Sequence, residues 1–336
     1  MKNKFNKKII PMAAILILLL ALPQVFNNAF SHHIITMMCI WTLLGIGWNF
    51  IGGYAGQISN GHAIYYAFGA YTNAMMLQWF NMPPWISMLI GCLFSAAVAY
   101  VIGKGLLRFH GHIFSIASMA VAECVRLIVI NTSAVGGATG VYLYNTSLHP
   151  ILYMQFGNTI SYVYLYMVFV LVILLFTRWL DKTKFCYYLR AIKGNETAAE
   201  SAGIDAPKYK LLAYMLSGVI CSLAGSLYMQ FMLYMDPTMI LTSNISMMIV
   251  LVTVMGGIGT VYGPLIGAVV LTYISEYTRV YLSGYNGLDM IIYGLLVILI
   301  VLFIPDGLIS IPGRIRAYRS RRAAQIQVPE RGKVFK

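Results

Sequence analysis

The sequence predicts an all-α fold: one domain over residues 1–336, a polytopic transmembrane helical bundle of about ten spans with both termini cytoplasmic. Three observations predict it. First, 60% of the 336 residues are hydrophobic and 10% charged, where soluble domains carry roughly 25% charged residues. Second, apolar runs of close to the ~20 residues that cross a bilayer core recur along the chain, and no polar stretch between them is large enough for a separate soluble domain. Third, the basic residues fall in alternate connections, as the positive-inside rule requires.

Lys2, Lys4, Lys7 and Lys8 precede the first apolar run, residues 9–25, which reads as a signal peptide or as a retained first helix. Ala21, Leu22, Pro23 and Gln24 offer no small-x-small cleavage pattern, which favours retention. Further spans are expected near 34–51, 62–80, 85–107, 112–131, 159–180, 211–234, 244–258, 263–282 and 288–304. With the N-terminus inside, the connections 26–33, 81–84, 132–158, 235–243 and 283–287 lie outside, and none contains Lys or Arg. The inner side receives the four N-terminal lysines, Lys104 and Arg108, seven basic residues between Arg178 and Lys210, and eight from Arg314 to Lys336. The net charge of +13 is thereby accounted for by membrane orientation and attraction to anionic lipid, without nucleic acid. The outer connection 132–158, with Gly136, Gly137 and Gly140, reads as a cap over a pathway mouth or as a plain structured loop. The arginine-rich tail, 312–336, reads as solvated and lipid-facing.

The cytoplasmic segment 181–210 holds a polar island, 190–203. Thr197 followed by Glu200 is a capping-box pattern, Asn195 is a second possible N-cap, Gly203 suits a left-handed stop, and Pro207 follows. A helix of one to two turns is marginal by itself, so flanking spans or a partner must hold it. The segment is compatible with a solvated connector or with a docking helix.

Little in the chain suggests catalysis. Cys39, Cys92, Cys124, Cys186 and Cys221 are scattered singly, with neither a disulfide framework nor metal-ligand spacing. His110 and His112 read as an interfacial feature rather than a metal site. The sequence contains no Gly-x-x-x-x-Gly-Lys-Ser/Thr phosphate loop, so nucleotide hydrolysis is expected on another chain. Two charged pairs, Glu123 with Arg126 and Glu276 with Arg279, fall within expected spans at i, i+3 spacing. Pairing on one helix face offsets an insertion cost of roughly 2.5–3.5 kcal/mol per central charge. They read as structural pairs or as residues lining a pathway. Two glycine-rich segments enter inward-to-outward spans, one with Gly52, Gly53, Gly56, Gln57, Ser59 and His62, the other with Gly256, Gly257 and Gly259. Each reads as a helix break beside a pathway or as tight packing.

The set of motifs resembles the permease subunits of branched-chain amino acid ABC importers, of the LivM type, over nearly the whole chain. The resemblance is carried by the run from Asn49 through Gly52, Gly53, Gln57, Gly61 and His62 to Thr72, and by Arg190-Ala191-Ile192 with Asn195-Glu196 and Ala198-Ala199-Glu200. Gly203-Ile204, Tyr209-Lys210, Gly256 to Thr260 with Gly263-Pro264, and Pro305-Asp306-Gly307-Leu308 complete it. It implies that 196–203 is a coupling helix, with Glu196, Ala198, Ala199, Glu200 and Gly203 facing a cytoplasmic ATPase. Thr197 stands where the general importer signature has Glu, and Asn60 where an apolar or small residue is expected.

The partners implied are a second, related permease, two ATPase subunits carrying the ATP and Mg, an extracytoplasmic substrate-binding protein and membrane lipid, with no cofactor in this chain. The mechanism implied is alternating access in the bacterial inner membrane. Alternative readings are an ABC permease for urea or short amides, an ion-coupled secondary carrier, and a membrane-embedded enzyme.

Overall fold

The computed structural model describes residues 28–143 and 149–281, with 291, 292, 294, 295, 298, 302, 303 and 307–311. The expected first span, most of the expected last one, Pro305, Asp306 and the tail lie outside the described residues. The helices are α1 (Ala29–Trp48), α2 (Ala63–Phe80), α3 (Pro84–Leu106), α4 (Gly111–Asn131), α5 (Thr159–Leu180), α6 (Lys184–Gly194), α7 (Glu196–Ser201), α8 (Ala206–Met232), α9 (Ser243–Gly256) and α10 (Gly263–Tyr281). Single turns form at Pro150–Tyr153 and Pro237–Ile240.

Six of these stretches are long and apolar enough to cross a membrane: Ala29–Tyr54, Pro84–Leu106, Gly111–Asn131, Thr159–Leu180, Ala206–Met232 and Pro237–Gly256. α2 and α10, at 18 and 19 residues, have the length but carry Asn73 and Gln78, or Glu276 and Arg279, which dilute their apolar character. The described helices therefore supply fewer plainly membrane-long apolar segments than the sequence suggests.

Two helices form the centre. The apolar windows of α1 and α8 are 83% and 61% buried, against 17% for α4. α8 packs along α2, α3 and α1, while α5 and α10 lean on α1, and α9 on α10. α1 is apolar on every side, the pattern of a helix enclosed by others. The buried face of α8 is small and polar, including Ala213, Ser217, Gly218, Ser222, Ala224, Gly225 and Ser226, which lets backbones cross closely. A Cβ on Gly69 would sit 1.8 Å from the Ser222 carbonyl oxygen, and one on Gly225 would sit 1.9 Å from that of Tyr66. The Ser226 hydroxyl donates to the Gly69 carbonyl across this crossing at 2.9 Å. α3 and α4 instead turn Leu89, Leu93, Val101, Ile113, Ile116 and Ile128 outward. Such faces suit lipid.

The connections gather at two ends. At one end, Val141–Tyr142 pairs antiparallel with Tyr234–Met235, and Gln78 at the end of α2 donates to the Tyr142 carbonyl. At the other end lie 55–62, 107–110, 181–205 and 257–262, joined by the contacts described next.

Candidate functional site

The polar island folds as α7, and its ends explain why six residues hold together. Asn195 is the N-cap: its side-chain oxygen accepts the Ala198 N–H at 3.1 Å and the Thr197 hydroxyl at 2.7 Å. This corrects the capping-box expectation, because Thr197 lies inside the first turn and serves to orient the cap. At the far end Gly203 takes φ +87°, the Gly203 N–H reaches the Glu200 carbonyl, and the Ile204 N–H reaches that of Ala199. These are the two bonds of a Schellman stop. Ala199 packs with Ile192 of α6 and Ala206 of α8, flanked by Ile204 and Tyr209. Thr197, Ala198, Glu200, Ser201 and Gly203 remain exposed.

Glu196 opens α7 and accepts a 2.5 Å bond from the Lys210 ammonium of α8. Lys210 is 1% exposed, so without Glu196 its charge would be buried alone. His110, between α3 and α4, lies 3.5 Å from the same carboxylate. One acidic side chain thus ties α7 to two other elements.

α6 runs directly into α7 and buries Cys186, Leu189 and Ile192 on one face. The Lys193 ammonium of α6 donates to the Gly53 carbonyl at 2.9 Å. Burial, and secondarily the Arg190 guanidinium, holds that ammonium below the usual lysine range. Arg190 pairs with Asp181 and lies over the Tyr54 ring, 5.2 Å from its centroid.

Gly53 and Tyr54 belong to a π-helical turn, Asn49–Tyr54, that continues α1. Gly52 and Gly53 are therefore still helical, with a widened turn, and the backbone becomes irregular only from Ala55 to His62. Asn49 turns its amide away from this helix: Nδ2 donates to the Thr260 carbonyl and Oδ1 accepts the Gly259 N–H, each at 2.9 Å. The two glycine-rich segments thus meet through one asparagine. Gly256 closes α9, and Gly257 to Thr260 lead into α10, with Thr260 Oγ1 bonding the Gly257 carbonyl.

The remaining candidates differ in exposure: Gln57, Ser59 and His62 are buried, Gly56 and Arg279 exposed, and Glu123, Arg126 and Glu276 in between. His62 is fully buried, Nδ1 being 3.0 Å from the Ser59 hydroxyl and Nε2 2.6 Å from that of Ser217. Trp48 Nε1 donates to the Ser59 carbonyl. Gln57 is buried, and its Oε1 has no hydrogen-bond partner among the described residues. Gly56 adopts φ +76° beside the Lys193 stem. Asn60, unusual at its place in the sequence, bonds through its backbone N–H and side-chain amide to the Ser118 and Ser115 hydroxyls of α4. Glu123 and Arg126 form a bidentate ion pair. Glu276 and Arg279 share α10 and form no ion pair with each other among the described residues.

Asn49, Lys193 and Lys210 hold the site together; in the sequence Asn49 and Lys210 stand out only as motif residues without a role, and Lys193 only as part of the polar island. Among the described residues, no group of three or more His, Cys, Asp or Glu could hold a metal ion.

The family model for the permease component of the branched-chain amino acid transport system matches residues 31–301. The high-affinity branched-chain amino acid transport system permease protein LivM of Salmonella typhimurium strain LT2 is 26% identical over 321 residues, covering 88% of this chain and 73% of that protein. LivM of Escherichia coli strain K12 is 25% identical over 323 residues, covering 89% and 74%. A probable branched-chain amino acid transport permease protein LivH of Methanocaldococcus jannaschii is 28% identical over 246 residues, covering 70% and 75%. No solved structure matches.

Proposed function

The chain belongs to the branched-chain amino acid transport system permease family, and from that membership we propose that it is one membrane subunit of an ATP-binding-cassette importer for branched-chain, hydrophobic amino acids. It is a multi-pass protein of the bacterial inner membrane. In this reading a second, related permease completes the pathway, two cytoplasmic ATPase subunits carry the ATP and Mg, and an extracytoplasmic binding protein delivers the amino acid. The chain acts as a permease, and the chemical step resides on the ATPases.

One observation carries the mechanism: α7 is joined without slack to the glycine junction. Glu196 fixes α7 to α8 through Lys210, and Lys193, one turn upstream, grips the Gly53 carbonyl. A displacement of α7 by an ATPase therefore moves α6, α7 and the start of α8 together. It acts on α1 at a π-turn, where the regular hydrogen-bond ladder is already broken, and Asn49 passes the shift to Gly259 and Thr260. Nucleotide must favour one arrangement over the other, by about 5.5 kcal/mol to turn a 1:99 population into 99:1.

In the same reading α2 and α10 also cross. At 1.5 Å per residue their 18 and 19 residues approach the ~30 Å apolar core. Together with the segments outside the described residues they bring the spans to ten, with both termini and α7 cytoplasmic.

The test is reconstitution of the chain with its second permease, ATPases and binding protein in proteoliposomes. ATP-dependent leucine uptake is expected, and Lys193→Met is expected to lower substrate-stimulated ATP hydrolysis on the order of tenfold while the complex still assembles, the loss of one charge-assisted bond. Uptake by this chain alone, driven by an ion gradient and indifferent to ATP depletion, would sink the proposal. Binding of urea or short amides, rather than leucine, by the cognate binding protein would replace the cargo.

A further inference from the structure

Beside α7 lies a groove of about 770 Å³, walled by the C-terminal end of α3 and the first turns of α8. Three cations line it, Lys104, Arg108 and Lys208. None of the three forms an ion pair among the described residues, and Lys104 rests over the Tyr100 ring, 4.4 Å from its centroid. Two carboxylates share the groove, but Glu196 is already matched by the buried Lys210. Glu200 alone offsets the three positive charges, so the groove carries a positive excess.

The other wall is apolar. Tyr100, Leu107 and Leu211 line it, and it continues into the outward face of α3, where Leu89, Leu93 and Val101 are 67%, 74% and 70% exposed. A positive socket that opens onto a lipid-facing helix has the two-part chemistry of one ligand. A soluble anion would match the cations but leave the apolar wall wet. An acidic protein surface would match the cations but not the strip running along α3. A phospholipid with a net-negative headgroup satisfies both parts, with phosphate among the basic side chains and acyl chains along α3.

We propose that this groove is a binding site for one anionic phospholipid of the leaflet facing α7, and that the bound headgroup buttresses α7 along the face that carries Glu196, Thr197 and Glu200. The site rests on the reading of α7 as lying at a membrane surface. It does not depend on the identity of the transported cargo, and its test reads lipid retention before transport.

The experiment uses the assembled transporter in nanodiscs of phosphatidylglycerol mixed with phosphatidylcholine, with retained lipid read by native mass spectrometry. Lys104→Gln, Arg108→Gln and Lys208→Gln are combined. A control combines Lys182→Gln with Lys184→Gln, cations near the same end but outside the groove. The wild type and the control are expected to retain phosphatidylglycerol, and the triple variant to retain it more weakly by about fivefold per charge removed. Substrate-stimulated ATP hydrolysis of the triple variant should then become indifferent to phosphatidylglycerol content. Equal retention by wild type and triple variant would overturn the proposal. So would an equal loss in the control, which would mean diffuse surface charge, or loss of the ATPase subunits with lipid retained, which would assign the groove to a protein. Stimulation by inorganic phosphate in pure phosphatidylcholine discs would overturn it in favour of a free anion.

Discussion

At the residue scale, the Glu196–Lys210 pair is asymmetric, and the asymmetry is measurable. Lys210 is 1% exposed while the Glu196 side chain is 25% exposed. Removing the carboxylate strands a buried ammonium; removing the ammonium leaves a carboxylate that water and His110 can still reach. Breaking a fully buried pair from one side costs roughly 3–5 kcal/mol, and partial hydration of Glu196 lowers this to about 2–3 kcal/mol for Glu196→Ala. Lys210→Met should cost less than half as much. The double variant should recover much of the loss in thermal unfolding of the purified complex yet remain poorly coupled, because the tie between α7 and α8 is gone. A double variant no more stable than Glu196→Ala would show that the pair is not what Lys210 requires.

At the scale of elements, the crossing of α2 and α8 depends on the absence of two side chains. An Ala methyl at Gly69 would overlap the Ser222 carbonyl at 1.8 Å, so the helices must separate along their length. At Gly105 of α3 nothing lies within 4 Å of the added carbon, and Ala gains roughly 0.5–1 kcal/mol of helix preference. Gly69→Ala should therefore lower the unfolding midpoint in detergent sharply, and Gly105→Ala should leave it unchanged or raise it. Equal effects would mean that the close crossing is not a source of stability. The positions of the long helices are legible in the sequence because each is a mainly apolar run of membrane-like length, even where polar residues such as Asn73, Glu123 or Glu276 interrupt it. The start of α1 is not: Ser31, His32 and His33 look like a polar connection, yet the helix begins at Ala29. The π-turn is also hidden. Gly52-Gly53 suggests a break, but the widened turn accompanies the Asn49 side chain, whose partner Thr260 lies 211 residues away. Lys193 reaches across 140 residues in the same way, and spacing along the chain carries no trace of such contacts.

For the whole molecule, the distribution of connections between two ends makes the strongest demand. The connection through Val141–Tyr142 and the connection after α8 are bonded to each other as a two-stranded ribbon, which requires them to emerge on one side of the bundle. α7, the α3–α4 turn carrying His110, and the two glycine-rich segments are bonded to one another at the opposite end. The basic residues Lys104, Arg108, Arg178, Lys193 and Lys210 all belong to this second group, while the connections that form the ribbon, 132–143 and 233–242, contain none, and Arg126 and Arg279 sit within helices. Positive charge resists transfer across the membrane, so the proposed reading puts the second end on the cytoplasmic side. With Cys124, the exposed native thiol, changed to Ser, Ser201→Cys should react with an impermeant maleimide only from the cytoplasmic side, and Tyr142→Cys only from the outer side. Both positions are exposed, so access differs only by side. Reaction of both from one side would break the link between α7 and the ATPases, since a helix on the outer surface cannot receive their motion.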